Sequence, residues 1–236
     1  MLKIRIDPTE RMILLGRTGS GKTEFARHFL RTISKYYPIV IIDPKALWLG
    51  RAPRWAKGSE PGTVDRPRLI TNKFDRKIAN QRGVQLAQFD SLNDPNELNE
   101  LCFDILSYGR KQGEIFLYID ETDGIATATK IPPGISRIWK QGRALGVGAW
   151  IANQRALGIP EIFKSQAESF VIFDLPGERD RKDISYYVHT PEIVEMDTVP
   201  EYHYWYFHRK QMRSARLMPP LNIKKPIKVK KGEKNE

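Results

Sequence analysis

Cysteine and long apolar runs are the first things that this sequence lacks. Cys102 is the single cysteine among 236 residues, so no disulfide can form within the chain. It stands in the run NELNELCFDIL, whose spacing predicts the buried face of a helix rather than a reactive thiol. No run of about 18 apolar residues occurs, and the start of the chain has no signal-peptide pattern. We therefore expect no membrane span and a cytoplasmic location.

Histidine is scarce as well, and acidic residues are fewer than basic ones. The four histidines have no metal-ligand spacing with one another or with Cys102, so we predict no structural metal site. The 39 lysines and arginines outnumber the 28 acidic residues, which gives a net charge of +11. Residues 51–82 carry nine basic residues against three acidic ones, and residues 221–236 carry six lysines against two glutamates. Such concentrations of charge favour a polyanionic partner, of which nucleic acid is the commonest.

Short apolar runs alternate with amphipathic stretches along the chain, which predicts an α/β fold with a mainly parallel sheet flanked by helices. We predict one domain over 1–218 with a basic insertion near 46–83 that is irregular over 46–68, followed by a basic, flexible tail over 219–236. Strands are predicted at 12–15, 39–42, 84–89, 115–119, 147–152, 170–173 and, at the sheet edge, 202–207. Helices are predicted at 22–36, from 94 or 95 to about 109, 135–144, 160–166 and 179–187.

One motif dominates the N-terminal part. The run GRTGSGKT follows the apolar run MILL, precedes an amphipathic helix, and matches the phosphate-binding P-loop pattern in full. Its glycines let several backbone N–H groups point at one phosphate, and the helix N-terminus adds partial positive charge. Lys22 is predicted to contact the β- and γ-phosphates of ATP, and the Thr23 hydroxyl to ligate Mg²⁺.

A second apolar strand, IFLYI, ends in Asp120 and Glu121. An acid at the carboxyl end of a central strand lies beside the phosphate pocket. Asp120 is therefore predicted to hold Mg²⁺ together with Thr23, and Glu121 to polarise the attacking water. The predicted nucleotide-binding residues are Gly16, Arg17, Thr18, Gly19, Ser20, Gly21, Lys22, Thr23 and Asp120.

A third strand, GAWIA, is followed by Asn153, Gln154 and Arg155. A polar amide at this strand end can contact the γ-phosphate and respond to its loss. Taken alone the pattern is a weak signal, but together with the P-loop and the acidic pair it favours Gln154 as a catalytic sensor.

Taken in order, GRTGSGKT, VIIDPK, FLYIDET and GRALGVGAWIANQR resemble the motifs of the FtsK/HerA superfamily of DNA-pumping ATPases, and most of all its viral genome-packaging members. The motifs span residues 12–155. The resemblance implies a RecA-like P-loop core that assembles as a homo-oligomeric ring, a pentamer or a hexamer, around double-stranded DNA. ATP and Mg²⁺ are the implied cofactors. A capsid or portal-vertex protein is an implied partner, and the host cytoplasm or the virion an implied location.

The resemblance also implies that one subunit supplies an arginine to its neighbour's active site. Arg143 precedes the Gln154 strand, where such an arginine is expected. A planar guanidinium stabilises the charge that develops on the transferred phosphoryl group. Arg110, Arg137 and Arg155 are alternatives for this role.

Contacts with DNA are predicted for basic residues of the insertion and for Lys130, which lies in the polar loop after the acidic pair. Trp48 and Trp55 are expected to pack the insertion down more than to stack on bases. The insertion residues concerned are Arg66, Arg68, Lys73, Arg76 and Lys77.

Three functions compete. The leading hypothesis is an ATP-driven translocase of double-stranded DNA that packages a viral genome. An ATPase of an assembly or secretion system would share every nucleotide motif and differ in what its ring grips. A P-loop kinase would need neither Glu121 nor the Gln154 strand.

Overall fold

The computed structural model describes residues 7, 9–44, 48, 62–70, 73–88 and 95–222. Within this part of the chain a single nine-stranded sheet carries helices on both faces. The strands are β1 (Arg11–Leu15), β2 (Ile39–Ile42), β3 (Arg68–Ile70), β4 (Val84–Ala87), β5 (Ile115–Ile119), β6 (Val147–Asn153), β7 (Ser169–Ile172), β8 (Tyr204–His208) and β9 (Arg216–Met218). The helices are α1 (Lys22–Ile33), α2 (Arg76–Asn80), α3 (Pro95–Gln112), α4 (Pro133–Gln141), α5 (Glu161–Gln166), α6 (Glu178–Val188) and α7 (Glu192–Glu195).

The order across the sheet is β3-β4-β2-β5-β6-β1-β7-β8-β9. The seven strands from β3 to β7 pair in parallel, and β8 and β9 extend the sheet with antiparallel pairs. The carboxyl ends of β1, β2, β5, β6 and β7 therefore meet at one edge, where open α/β sheets bind ligands. We call this the carboxyl edge, and the opposite side the amino edge.

Two apolar layers hold the helices to the sheet. Because side chains alternate along a strand, Ile13 and Leu15 of β1 belong to one layer and Met12 and Leu14 to the other. The first layer packs α3, α4 and α6 on one face, and the second packs α1 on the other. The core strands are buried on both faces, which explains their continuous apolar runs.

The predicted elements are found in the predicted order, with shifts at their ends. Helix α3 continues past Gly109 to Gln112, and the predicted helix at 135–144 ends at Gln141 and continues as a 3₁₀ turn over Gly142–Leu145. Cys102 of α3 is buried in the first apolar layer. Burial raises the pKa of its thiol, as expected for a core residue.

Beyond its predicted irregular part, 46–68, the basic insertion continues as the edge strand β3 and the short helix α2, which Asp75 caps by accepting the Lys77 and Ile78 N–H groups. One prediction about the sheet needs correction. The aromatic strand β8 is not the sheet edge, because β9 lies outside it.

The start of the predicted tail also packs on the body, since Leu221 contacts the second apolar layer. Lys45, Trp55 and residues 223–236, which carry the tail's lysines, lie outside the described residues. None of the helices in the described part combines the length and apolar character needed to cross a bilayer.

Candidate nucleotide-hydrolysis site

The P-loop joins β1 to α1 at the carboxyl edge. Gly16 adopts φ 147°, and a Cβ there would lie 2.7 Å from both the Phe173 Cβ and the Ser20 Oγ. Gly21, the residue before α1, adopts φ 108°. A side chain at either position would be strained, because both residues have a positive φ, and at Gly16 it would also clash with Phe173 and Ser20. The loop therefore keeps its backbone open to a phosphate.

Lys22 and Ser20 place polar groups inside this loop. Lys22 is only 5 % exposed, and its ammonium donates to the carbonyl oxygens of Gly16 and of Arg17, the latter at 3.1 Å. The Ser20 hydroxyl is buried and finds no hydrogen-bond partner among the described residues. A buried ammonium and a buried, unsatisfied hydroxyl are groups that a phosphate would satisfy. Thr23 follows in the first turn of α1 and is half-buried.

Asp120 lies at the end of β5, in the interior of the carboxyl edge. Its side chain is almost fully buried and accepts a hydrogen bond from the Tyr118 hydroxyl at 3.1 Å. Burial, and next the charge of Glu121, raise the pKa of Asp120 to about 6, and the nearby charge of Asp43 acts in the same direction. Such a group of buried carboxylates favours a bound cation, and carboxylate and hydroxyl oxygens are ligands that Mg²⁺ prefers. Thr23 and Asp120 thus fit a magnesium ion.

Glu121 and Gln154 come together although they are 33 residues apart in sequence. The Gln154 Nε2 donates to the Glu121 Oε1 at 3.0 Å. Glu121 is buried and adopts φ 63°, a left-handed conformation that non-glycine residues rarely take. At the same strand end the Asn153 carbonyl accepts the Gly16 N–H at 3.3 Å, which ties the end of β6 to the P-loop. The water-activating and sensing residues predicted from sequence are therefore adjacent to each other and to the phosphate loop.

A loop from the C-terminal part of the chain covers the P-loop, and sequence reasoning missed it. Arg17 pairs with Asp174, just beyond the end of β7, at 2.8 Å, and Asp174 also accepts the Val199 N–H at 3.1 Å. Residues 199–203 and the P-loop together line a polar cavity of about 380 Å³. The signal for Asp174 was an acidic residue directly after the predicted strand 170–173, the pattern that identified Asp120.

Comparison with known proteins supports this reading of the fold. No protein-family model matches the chain, and neither does any curated protein. Among solved structures, the genome-packaging NTPase B204 of Sulfolobus turreted icosahedral virus 2, in complex with ATP-γ-S, matches with a TM-score of 0.72 and 20 % identity over 92 % of this chain and 100 % of that chain. The fold is that of a P-loop NTPase.

Two further structures match over most of this chain. The pCW3 conjugation coupling protein TcpA, with ATP-γ-S, has a TM-score of 0.58 and 12 % identity over 89 % of this chain and 59 % of that chain. EssC from Geobacillus thermodenitrificans (ATPases 2 and 3) has a TM-score of 0.55 and 10 % identity over 88 % of this chain and 38 % of that chain. The predicted P-loop fold and the resemblance to FtsK/HerA ATPases are thus confirmed as a likeness of fold.

Arg143 lies away from this site. It belongs to the 3₁₀ turn before β6, at the amino edge, where its guanidinium pairs with the Glu168 carboxylate at 3.2 Å. Glu168 also binds Arg11 through two side-chain contacts. The Arg143 side chain is 40 % exposed, which leaves it accessible to a second subunit. Its role in a neighbouring subunit's site stays a prediction. Arg155 follows Gln154 at the carboxyl edge and pairs with buried Asp180 at 3.2 Å.

The predicted DNA contacts are exposed side chains outside the nucleotide site. Lys130 lies in the loop between Glu121 and α4. The insertion residues cluster around β3 and α2, and one of them, Arg76, lies 3.7 Å from Asp104. Trp48 packs in the core as expected, since its ring is fully buried and lies 5.3 Å from that of Tyr118. The insertion residues predicted to contact DNA, all of them exposed, are Arg66, Arg68, Lys73, Arg76 and Lys77.

Proposed function

We propose that this chain is an ATPase that drives the translocation of double-stranded DNA, and that it packages a viral genome into a capsid. The observation that carries the proposal is the hydrogen bond between Gln154 and Glu121 beside a complete P-loop. It links the residue suited to sense the γ-phosphate to the residue suited to activate water. The full-length likeness to a viral genome-packaging NTPase supports the choice of cargo.

The chemistry follows from where the groups lie. The P-loop N–H groups and the Lys22 ammonium would bind the phosphates of ATP and stabilise the charge that develops on them. Glu121, held next to this loop, would orient a water and accept its proton as that water attacks the γ-phosphorus. Mg²⁺, held by Thr23 and Asp120, would neutralise charge on the phosphate oxygens.

The bond between Gln154 and Glu121 offers a route from chemistry to movement. Gln154 is the residue after β6, and Glu121 begins the segment that carries Lys130. Loss of the γ-phosphate would change the contacts of Gln154 and, through the shared hydrogen bond, those of Glu121. The loop after Glu121 would then shift its exposed basic side chain relative to bound DNA.

The remaining parts of the proposal concern assembly. A homo-oligomeric ring would place Arg143 of one subunit at the nucleotide of the next and surround the duplex with the basic insertion of every subunit. A capsid or portal-vertex protein would dock the ring, in the host cytoplasm or on the virion. The net charge of +11 favours a DNA partner over a neutral one.

The deciding experiment is ATP hydrolysis by the full chain with and without double-stranded DNA, at two salt concentrations. A translocase should hydrolyse ATP several-fold faster with DNA of any sequence, and the stimulation should fall as salt rises. Hydrolysis that DNA leaves unchanged would favour an ATPase of an assembly or secretion system. Phosphate transfer to a small acceptor without release of inorganic phosphate would favour a kinase.

A further inference from the structure

A second cavity lies directly beside the P-loop, and Gly21 is the one residue among those lining it that was predicted to bind the nucleotide. Its volume is about 280 Å³, near the lower end for small-molecule pockets, which suits one part of a ligand rather than all of it. Tyr202 lines both this cavity and the polar cavity over the P-loop. The two cavities are therefore neighbouring compartments that share one lining residue. The second cavity is lined by Gly21, Glu24, Phe25, Phe173, Tyr202, Tyr204, Pro220 and Leu221.

The walls of this cavity are mostly aromatic. The ring of Tyr204 lies 5.2 Å from that of Phe25 and 5.4 Å from that of Phe173. All three side chains are buried, so they form a rigid apolar floor. Glu24 is the one charged residue among those that line it. Planar apolar walls of this kind bind flat aromatic ligands.

Tyr202 is held in an unusual position at the boundary. It adopts φ 56°, a left-handed conformation that costs free energy for a residue with a side chain. Its ring is close to the P-loop, since a Cβ on Gly21 would lie 3.3 Å from the Tyr202 Cδ1. The residue is 51 % exposed, and its left-handed backbone belongs to the turn that the His203 N–H closes on the Pro200 carbonyl at 2.9 Å. Backbone strain of this kind concentrates where a ligand is bound.

We propose that this cavity is the nucleobase subsite and that Tyr202 stacks on the purine of the bound nucleotide. The proposal rests on the proposed binding of a nucleoside triphosphate at the P-loop. With the phosphates in the polar compartment, the base end of the same molecule reaches the aromatic compartment past Tyr202. The Glu24 carboxylate accepts equally from the amino group of adenine and from the N–H groups of guanine. The subsite therefore selects purines by stacking and discriminates little between ATP and GTP.

The test compares two ligands that share a triphosphate: MgATP, and magnesium tripolyphosphate, which has no base. Binding of each to the full-length protein is measured by calorimetry for the wild type and for Tyr202→Ala, Tyr202→Phe and Tyr186→Ala. Tyr186 is the matched control, an exposed tyrosine on α6 that does not line either cavity. Tyr202→Ala should weaken ATP binding by about tenfold, the usual effect of losing one stacking partner, and leave tripolyphosphate unchanged.

The other variants and ligands complete the test. Tyr202→Phe should bind ATP like the wild type because it keeps the ring, and Tyr186→Ala should have no effect. GTP should bind within a few-fold of ATP, and CTP more weakly. Equal loss of ATP and tripolyphosphate binding in Tyr202→Ala, or no loss of either, would overturn the subsite. If the wild type bound neither MgATP nor magnesium tripolyphosphate, the proposed nucleotide site itself would be contradicted.

Discussion

At the scale of single residues, Glu121 shows how neighbouring groups fix the side chain that is predicted to activate water. The chain leaves the buried strand β5 and enters a left-handed conformation at Glu121, at a cost of about 1–2 kcal/mol. The hydrogen bond from Gln154 and the burial of the side chain hold it there. A glutamate that is strained, buried and hydrogen-bonded at this strand end indicates a hydrolase more strongly than the presence of two adjacent acidic residues does.

This arrangement predicts that Glu121→Gln separates binding from chemistry. The amide keeps the size of the side chain but cannot accept a proton, so ATP turnover should fall by about 10²–10⁴-fold while ATP still binds. Lys22→Ala should instead weaken ATP binding, because the ammonium lies within the phosphate loop. Phosphate release and nucleotide affinity are measured for both, with Glu192→Gln, an exposed glutamate of α7, as the control. Turnover by Glu121→Gln near the wild-type rate would rule out Glu121 as the base.

The sequence predicts some of these residues better than others. The P-loop, Asp120 and Gln154 stand at the ends of apolar runs, so short windows of sequence locate them. Asp174 and Tyr202 lie more than 150 residues from the P-loop and reach it only through the pairing of β1 with β7 and of β7 with β8. Contacts made by sheet topology are not visible in a local pattern, which is why the covering loop was missed.

At the scale of secondary-structure elements, one carboxylate joins three of them at the amino edge. Glu168 stands directly before β7, and it binds Arg11 of β1 and Arg143 of the turn before β6. Burial acts to raise the pKa of Glu168, but the hydrogen bonds from Arg11 and the charges of Arg11 and Arg143 together outweigh it, and the pKa is lowered. The ionised form therefore stabilises the fold.

The sign of this shift gives a pH-dependent prediction. A lowered pKa in the folded state means that the stabilisation is complete above the ordinary value near 4.5 and is lost as the pH falls through the folded value. Glu168→Gln should lower the free energy of unfolding by about 1.5–3 kcal/mol at pH 7, and the gap to the wild type should narrow below pH 4.5. Urea unfolding at several pH values measures it, with exposed Glu161→Gln as the control. A gap that stays constant down to acid pH would contradict the role of the ionised carboxylate.

Element length decided which parts of the fold could be predicted. The core strands β1, β2, β5, β6 and β7 have at least four buried residues each, and all of them were predicted. The edge strands β3 and β9 have three residues each, and α2 has five. Segments this short and this exposed carry too few apolar positions to show a period, so the pairing that creates them is set by the rest of the sheet.

At the scale of the whole molecule, the predicted sensor and the arginine predicted to act in a neighbouring subunit lie at opposite sides of the sheet. Gln154 and Arg143 stand at opposite ends of the seven-residue strand β6, so about 20 Å separates Arg143 from its own nucleotide site. Arg143 could therefore act on a nucleotide only in a neighbouring subunit, with the amino edge of one chain against the carboxyl edge of the next.

Mixed assemblies test this geometry. Arg143→Ala and Glu121→Gln should each abolish most hydrolysis alone, and mixing them should restore part of it, because some interfaces then pair an intact Arg143 with an intact Glu121. Arg179→Ala, an exposed arginine of α6, mixed with Glu121→Gln gives the control for dilution alone. The measurement is ATP turnover against mixing ratio, in samples shown to co-assemble. No recovery would assign the role to another arginine or to none.

The last prediction concerns how the whole molecule holds DNA. The exposed basic residues around β3 and α2 lie at one margin of the sheet, five strands or about 24 Å from β1 and its P-loop. A motor must pass every sequence, so its grip should be on phosphates. Each phosphate neutralised by a basic side chain releases counterions, and log affinity then falls against log salt with a slope of about −0.9 per contact. Binding should therefore be indifferent to sequence and steeply dependent on salt.

Three variants resolve the contributions to that slope. Neutralising Arg66, Arg68, Lys73, Arg76 and Lys77 together should flatten the slope and uncouple DNA from ATP hydrolysis. Neutralising Lys35, Lys111, Lys140, Arg179 and Arg213 removes the same charge from other exposed positions and should change the slope less. Deleting residues 223–236 should weaken DNA binding and leave DNA-free hydrolysis intact; the deletion begins after Asn222 because Pro220 and Leu221 line the aromatic cavity. If the first and second variants gave the same slope, net charge rather than the insertion would hold the duplex, since only local contacts distinguish the two sets.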